Sequence, residues 1–187
     1  MKNIIHYLSI PSALLFPAVF LLCFWVKGFS PDSLLLCLFF SLLLAAALID
    51  IRSLYIPDLI SQLTAVLAIL SLAAGSGAGL SSRLAGAVSC GVLLSSVSLA
   101  SGGGIGGGDI KLMTAAGLFL GIRAALPAVF LAYVLAGLWY LIPLLRGRVN
   151  GKTEAPMAPF FALSLIIFGL WQPEIFRWYL NLLGLTL

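Results

Sequence analysis

Two acidic residues stand where a carboxyl group has few structural reasons to be. Asp109 follows six glycines in "GGGIGGGDIKL" (102–112), and Asp50 closes the apolar run "LLLAAALID". Two carboxyls brought close together cannot both ionise. If they share one proton, one becomes a base and the other an acid, a pair able to activate water. The ends of apolar helices suggest which is which. Asp50 sits at a helix C-terminus, where the backbone dipole disfavours negative charge, and Asp109 opens a helix, where it is favoured. Asp50 is therefore expected to be mainly the protonated acid and Asp109 mainly the ionised base. The dipole contributes only ~0.3–1 kcal/mol at exposed sites, so it biases the proton without fixing it. A coupled pair titrates as a unit.

The other four acids have structural explanations. Asp32 in "FSPDSLLL" and Asp58 in "YIPDLIS" each follow a proline and open an apolar run, as helix-capping residues do. Glu174 follows Pro173 at the start of the C-terminal tail, again a favourable place for negative charge. Glu154 lies in the basic stretch "RGRVNGKTEAP" and is expected to be solvated. The three small residues Ala45, Ala46 and Ala47 before Asp50 let another helix backbone come close.

The glycines form no nucleotide site. "GGGIGG" fits G-x-G-x-x-G in letters, but no strand precedes it. "GRVNGKT" is one residue short of a phosphate loop. A flexible linker is the plain alternative. Against it, irregular backbone at membrane depth is tolerated only where it lines a watery cavity or is buried in protein. Glycine also permits close approach by another backbone, such as a peptide substrate. Cys23, Cys37 and Cys90 lie singly in apolar runs and His6 is the one histidine, so no metal site or cofactor is expected.

The elements that must position the two aspartates follow from composition. Of 187 residues, 62% are hydrophobic and 9% charged, with a mean hydropathy of +1.18. Soluble domains carry about a quarter charged residues, so this chain belongs in a lipid bilayer. Its long continuous apolar runs call for helices rather than a barrel. The expected fold is all-α: one polytopic membrane bundle over residues 1–187, with six to seven transmembrane helices and a C-terminal interfacial or packed helix. The candidate spans are Tyr7–Val26, Ser33–Ile51, Leu59–Ala74, Leu84–Ala100, Ile110–Gly121, Ala124–Leu145 and Met157–Trp171. The fifth is the shortest, and either continues across Ile122–Leu126 or sits partly re-entrant.

Loops on one side carry Lys2, Arg52, Lys111, Arg146, Arg148 and Lys152, and those on the other carry Lys27, Arg83, Arg123 and Arg177. The positive-inside rule assigns the first set to the cytoplasm, which also places Asp50, Asp58 and Asp109 there. The N-terminus "MKNIIHYLSIP" has no small-residue cleavage site and reads as the start of a first span. A net charge of +4 gives no case for nucleic acid.

Three stretches together resemble a known family. "GGGDIKLMTAAGLFLG" resembles the G-x-G-D motif of the GxGD aspartic membrane proteases, and with Lys111, Gly117 and Gly121 it is most similar to the type IV prepilin peptidase branch. "ALIDIRSLYIPDLIS" resembles that branch's other aspartate motif, and "APMAPFFALS" its later Pro-x-x-Pro-x-x-Ala stretch. The resemblance implies that Asp50 and Asp109 are catalytic. It also implies substrates: prepilins or pseudopilin precursors, cut at the cytoplasmic membrane face after a short basic leader. Gly106 and Gly108 match the motif glycines, Gly107 the variable position, Lys111 the family lysine and Asp58 the second motif. Gly106, Gly108, Lys111 and Asp58 are expected to support the loop or bind substrate. Many members carry an insertion with paired zinc-binding cysteines and also N-methylate the cleaved pilin. Here six residues precede the first span and no cysteine pair exists, so a peptidase core without methylation is expected.

Two other readings compete. Presenilin-like and signal-peptide-peptidase-like proteases share G-x-G-D but carry the first aspartate within a span, whereas Asp50 is followed at once by Arg52 and a polar loop. A small proton-coupled transporter would want acids deep in the bilayer, and no expected span has one in its middle.

Overall fold

The computed structural model describes residues 12–147 and 155–182, and the described residues are helical with short connections. Seven helices lie among them: α1 (Ser12–Lys27), α2 (Pro31–Ser53), α3 (Asp58–Ala73), α4 (Leu80–Ala100), α5 (Gly107–Leu120), α6 (Ile122–Leu145) and α7 (Ala158–Leu182). Four of these, α2, α4, α6 and α7 as far as Trp178, are long and apolar enough to cross a bilayer. Large side chains such as Trp25, Leu21 and Phe130 are exposed on the outer surface, which suits lipid contact. His6, Lys2, Arg148, Lys152 and Glu154 lie outside the described residues.

Helix α2 is the central element. Leu36, Cys37, Phe39, Phe40, Leu43, Ala46, Ala47 and Asp50 are buried along it, a stripe with the three-to-four-residue spacing of one helix face. Phe39 stacks on Phe119 of α5 with ring centroids 4.3 Å apart. Helices α4 and α5 meet at glycines. A Cβ on Gly86 would lie 2.5 Å from the Gly117 carbonyl oxygen, and one on Gly117 equally close to that of Gly86. Gly117→Val must therefore force the two backbones apart. It is expected to lower stability by ~1–3 kcal/mol, the usual range for overpacking, read as an earlier unfolding transition in detergent.

Several expected boundaries need correction. Ser30, not Asp32, caps α2: its hydroxyl accepts from the Ser33 amide while the Ser33 hydroxyl accepts from the Ser30 amide. Pro31 occupies the first helical position, where its missing N–H costs nothing. The fifth span does not run on as one helix across Ile122–Leu126. It stops at Leu120, and Gly121, at φ 82°, reverses the chain straight into α6. The tail is a helix of its own, as expected, set off from the rest of α7 by non-helical backbone at Trp171. The break falls two residues before Pro173, which has no N–H to give the helix. Phe176 of the tail packs under the Arg123 guanidinium, 5.6 Å from the ring centre.

Candidate active site

Successive helices joined by short loops run in opposite directions, so the C-termini of α2 and α4 share one end of the bundle with the N-termini of α3, α5 and α7. Both aspartates lie at this end. Asp50 is in the last turn of α2, buried at 6% exposure, and Asp109 is in the first turn of α5. They are near enough for the charge of Asp50 to act on Asp109.

The glycine run divides into two parts with separate tasks. Gly102 and Gly103, at φ 66° and 93°, wind down α4: the Gly103 amide donates to the Ser98 carbonyl and the Gly102 amide to that of Leu99. Only glycine adopts such angles without steric cost. The Ser98 hydroxyl then donates to the Ile105 carbonyl at 3.0 Å and pins the middle of the loop. Gly106 caps α5 without a side chain, and Gly108 lies against Ile56, where a Cβ would come within 3.0 Å of the Ile56 Cβ and 3.3 Å of its carbonyl oxygen. The segment before Asp58 thus packs directly on the turn that carries Asp109.

The two carboxyls have unequal surroundings. Asp50 Oδ2 accepts a 2.9 Å hydrogen bond from the Ala158 amide at the start of α7. Asp109 Oδ1 is buried without any hydrogen-bond partner. This runs against the acid–base assignment expected from helix ends alone. A hydrogen bond to a charged group is worth ~1.5–3 kcal/mol, more than the helix dipole at an exposed end.

Asp58 does not cap α3. Pro57 occupies the cap without a side-chain bond, and the Asp58 carboxylate instead receives both of its contacts from Lys111 Nζ, at 2.7 and 2.8 Å. This pair ties α3 to α5 close to Asp109, yet both side chains are more than half exposed. Exposed pairs contribute ~0.2–1 kcal/mol. A double-mutant cycle with Asp58→Asn and Lys111→Met is expected to give a coupling in that range, with chemical denaturation in detergent as the measurement.

Three neighbours escaped sequence reasoning. The Ala158 amide is backbone and carries no side-chain signal, although the Pro156 and Pro159 around it mark a helix start. Tyr133 and Tyr140 of α6 lie near enough to Asp109 and Asp50 respectively to feel their charges. Their rings meet Phe161 and Phe160 of α7 edge-on, at 5.9 and 6.0 Å. Tyrosines spaced seven apart on a helix facing the acids were the available signal.

Comparison with known proteins places these residues in a family. The type IV leader peptidase family profile matches residues 37–141, more than half of the chain and inclusive of both aspartates. The chain belongs to the type IV leader peptidase family. Within the family it is 30% identical over 148 residues to a prepilin leader peptidase/N-methyltransferase of Bacillus subtilis, covering 77% of this chain and 58% of the relative. Prepilin leader peptidase/N-methyltransferases of Aeromonas salmonicida and Aeromonas hydrophila are 39% identical over 79 residues, 42% of this chain and 27% of theirs. The chain thus spans little more than half the length of the Bacillus relative. No solved structure matches it.

Proposed function

We propose that this chain is an aspartic endopeptidase of the cytoplasmic membrane that removes the leader from type IV prepilin or pseudopilin precursors at the cytoplasmic face. The observation that carries the reading is the pair of Asp50 and Asp109 at one end of the bundle, one carboxyl hydrogen-bonded and the other with an oxygen that has no partner. Membership of a leader peptidase family supports the reaction class, and the names of the relatives support the substrate class.

In the proposed reaction Asp50, held by the Ala158 amide, is the carboxylate that takes a proton from water. Asp109, whose Oδ1 has no donor to stabilise a charge, carries the shared proton and donates a hydrogen bond to the scissile carbonyl. Water adds to that carbonyl, and its proton passes to Asp50. Collapse of the tetrahedral intermediate breaks the C–N bond, and one proton goes to the leaving amine. Water and peptide become an acid and an amine, with the aspartate pair restored. The basic residues near the sites, Arg52 and Lys111, favour a cytoplasmic orientation.

The test is cleavage of a prepilin-like precursor by the purified protein in liposomes, followed as the mass lost from the substrate. Shortening at the leader junction supports the proposal, and an intact substrate in the presence of folded protein ends it. Because both proposed groups are carboxyls, cleavage is expected to proceed unchanged after treatment with a chelator. A rate that collapses with chelation and returns with a divalent ion would replace the two-aspartate mechanism with a metal-assisted one.

A further inference from the structure

The end of the bundle opposite the aspartates holds a cavity of about 890 Å³ that the proposed cleavage does not use. It is roughly 25 Å from Asp50, since Ser33 on its wall and Asp50 are 17 residues apart on α2. The cavity has a physical origin. Helix α5 has 14 residues, about 21 Å, against 23 in α2, and the chain turns back at Gly121 between Leu120 and Ile122, which line the cavity.

Its wall is electrically lopsided. Lys27, Arg83 and Arg123 line it, against the single acid Asp32. Among the described residues, none of the three cations has a carboxylate within ion-pair distance. Arg83 is 1% exposed, and its charge is met only by neutral oxygens: the carbonyls of Ala68, Ala78, Ser76 and Leu118 and the Ser71 hydroxyl. Carbonyl dipoles satisfy its N–H groups but leave the full positive charge in place. Two helices also begin at this wall, α4 after Gly79 and α6 after Gly121, and neither has a side-chain cap. Their free N–H groups and positive dipole ends favour an anion. Ser76, 7% exposed and on the same wall, has a hydroxyl with no hydrogen-bond partner.

We propose that this cavity binds a phosphate-type anion, held by Lys27 and Arg123 at its mouth and by the α4 and α6 N-termini and Ser76 within, over the fixed positive charge of Arg83. Two sources share this chemistry: the headgroup of an anionic phospholipid in the leaflet opposite the aspartates, and free phosphate. The site is independent of the cleavage reaction.

The experiment uses the whole protein, stripped of lipid in an uncharged detergent. Saturable binding is measured for inorganic phosphate by calorimetry, and for phosphatidylglycerol by native mass spectrometry against phosphatidylcholine as control. Saturation by phosphate alone identifies a free anion, and selective retention of phosphatidylglycerol identifies a lipid headgroup. Either supports the site. A Lys27→Ala/Arg123→Ala variant is expected to weaken binding by roughly tenfold or more, since each removes a charge-assisted contact. Asp32→Asn removes the one opposing charge and is expected to tighten binding several-fold. That opposite sign keeps the proposal testable should the double variant fail to fold. Absence of saturable binding by both probes, or binding in Asp32→Asn no tighter than wild type, overturns it.

Discussion

Asp50→Asn and Asp109→Asn are each expected to reduce leader cleavage by on the order of 10³-fold while the protein remains folded in the membrane. General acid–base groups contribute about 10²–10⁴-fold, and here each half of the pair is useless without the other. An amide cannot take a proton from water at position 50, and at position 109 it has no acidic proton to pass to the leaving amine. Folding should survive because asparagine is isosteric with aspartate. In Asp50→Asn the amide oxygen can still accept from the Ala158 N–H, and Asp109→Asn replaces a carboxyl whose Oδ1 has no partner to lose. Because the groups act as a unit, the double variant should be scarcely slower than either single one. The measurement is initial cleavage rate in proteoliposomes, with size-exclusion elution and circular dichroism as checks on folding. Wild-type turnover in either single variant removes that residue from the mechanism. The same coupling predicts a bell-shaped dependence of rate on pH. Activity fails at low pH when both carboxyls are protonated and no base remains, and at high pH when both are ionised and no acid remains.

What the sequence disclosed about this arrangement depended on whether the signal lay in side chains. Long apolar runs broken by Pro31, Pro57 and the glycines required helices in roughly the observed places, because lipid leaves the backbone no other partner. Alternation of helix direction then put Asp50 and Asp109 at one end of the bundle. The Asp32 error had a visible remedy: proline belongs at the first helical position, so the cap is the residue before Pro31, which is Ser30. The bond from Ala158 to Asp50 had no such signal. It joins residues 108 apart in sequence through a main-chain amide that every non-proline residue possesses. The proposed acid–base roles differ from the helix-end expectation for the same reason, since helix dipoles can be read from sequence and a direct donor cannot. The Asp58–Lys111 pair spans 53 residues, and only the packing of α3 on α5 turns an apparent cap into an ion pair.

Two adjacent glycines should respond in opposite ways, and the contrast tests how the first turn of α5 is positioned. Gly108→Val is expected to cut cleavage by about 10²-fold, whereas Gly107→Ala should leave it close to wild type. A Cβ at Gly107 meets nothing within 4 Å, and alanine is the better helix former, so the helix start gains slightly. At Gly108 the first added carbon already stands 3.0 Å from the Ile56 Cβ and 3.3 Å from its carbonyl oxygen, and valine adds two more. Ile56 is 4% exposed and anchored in the core, so it cannot yield easily. The turn carrying Asp109 must give way instead, moving its carboxyl relative to Asp50. A displacement of about 1 Å at reacting groups is enough for a hundredfold loss, well beyond what a modest loss of stability would produce in a folded enzyme. Rates and unfolding temperatures measured on the same preparations separate the two effects. Should Gly108→Val cleave as fast as Gly107→Ala, the contact between Ile56 and the glycine turn has no part in holding Asp109 at its post.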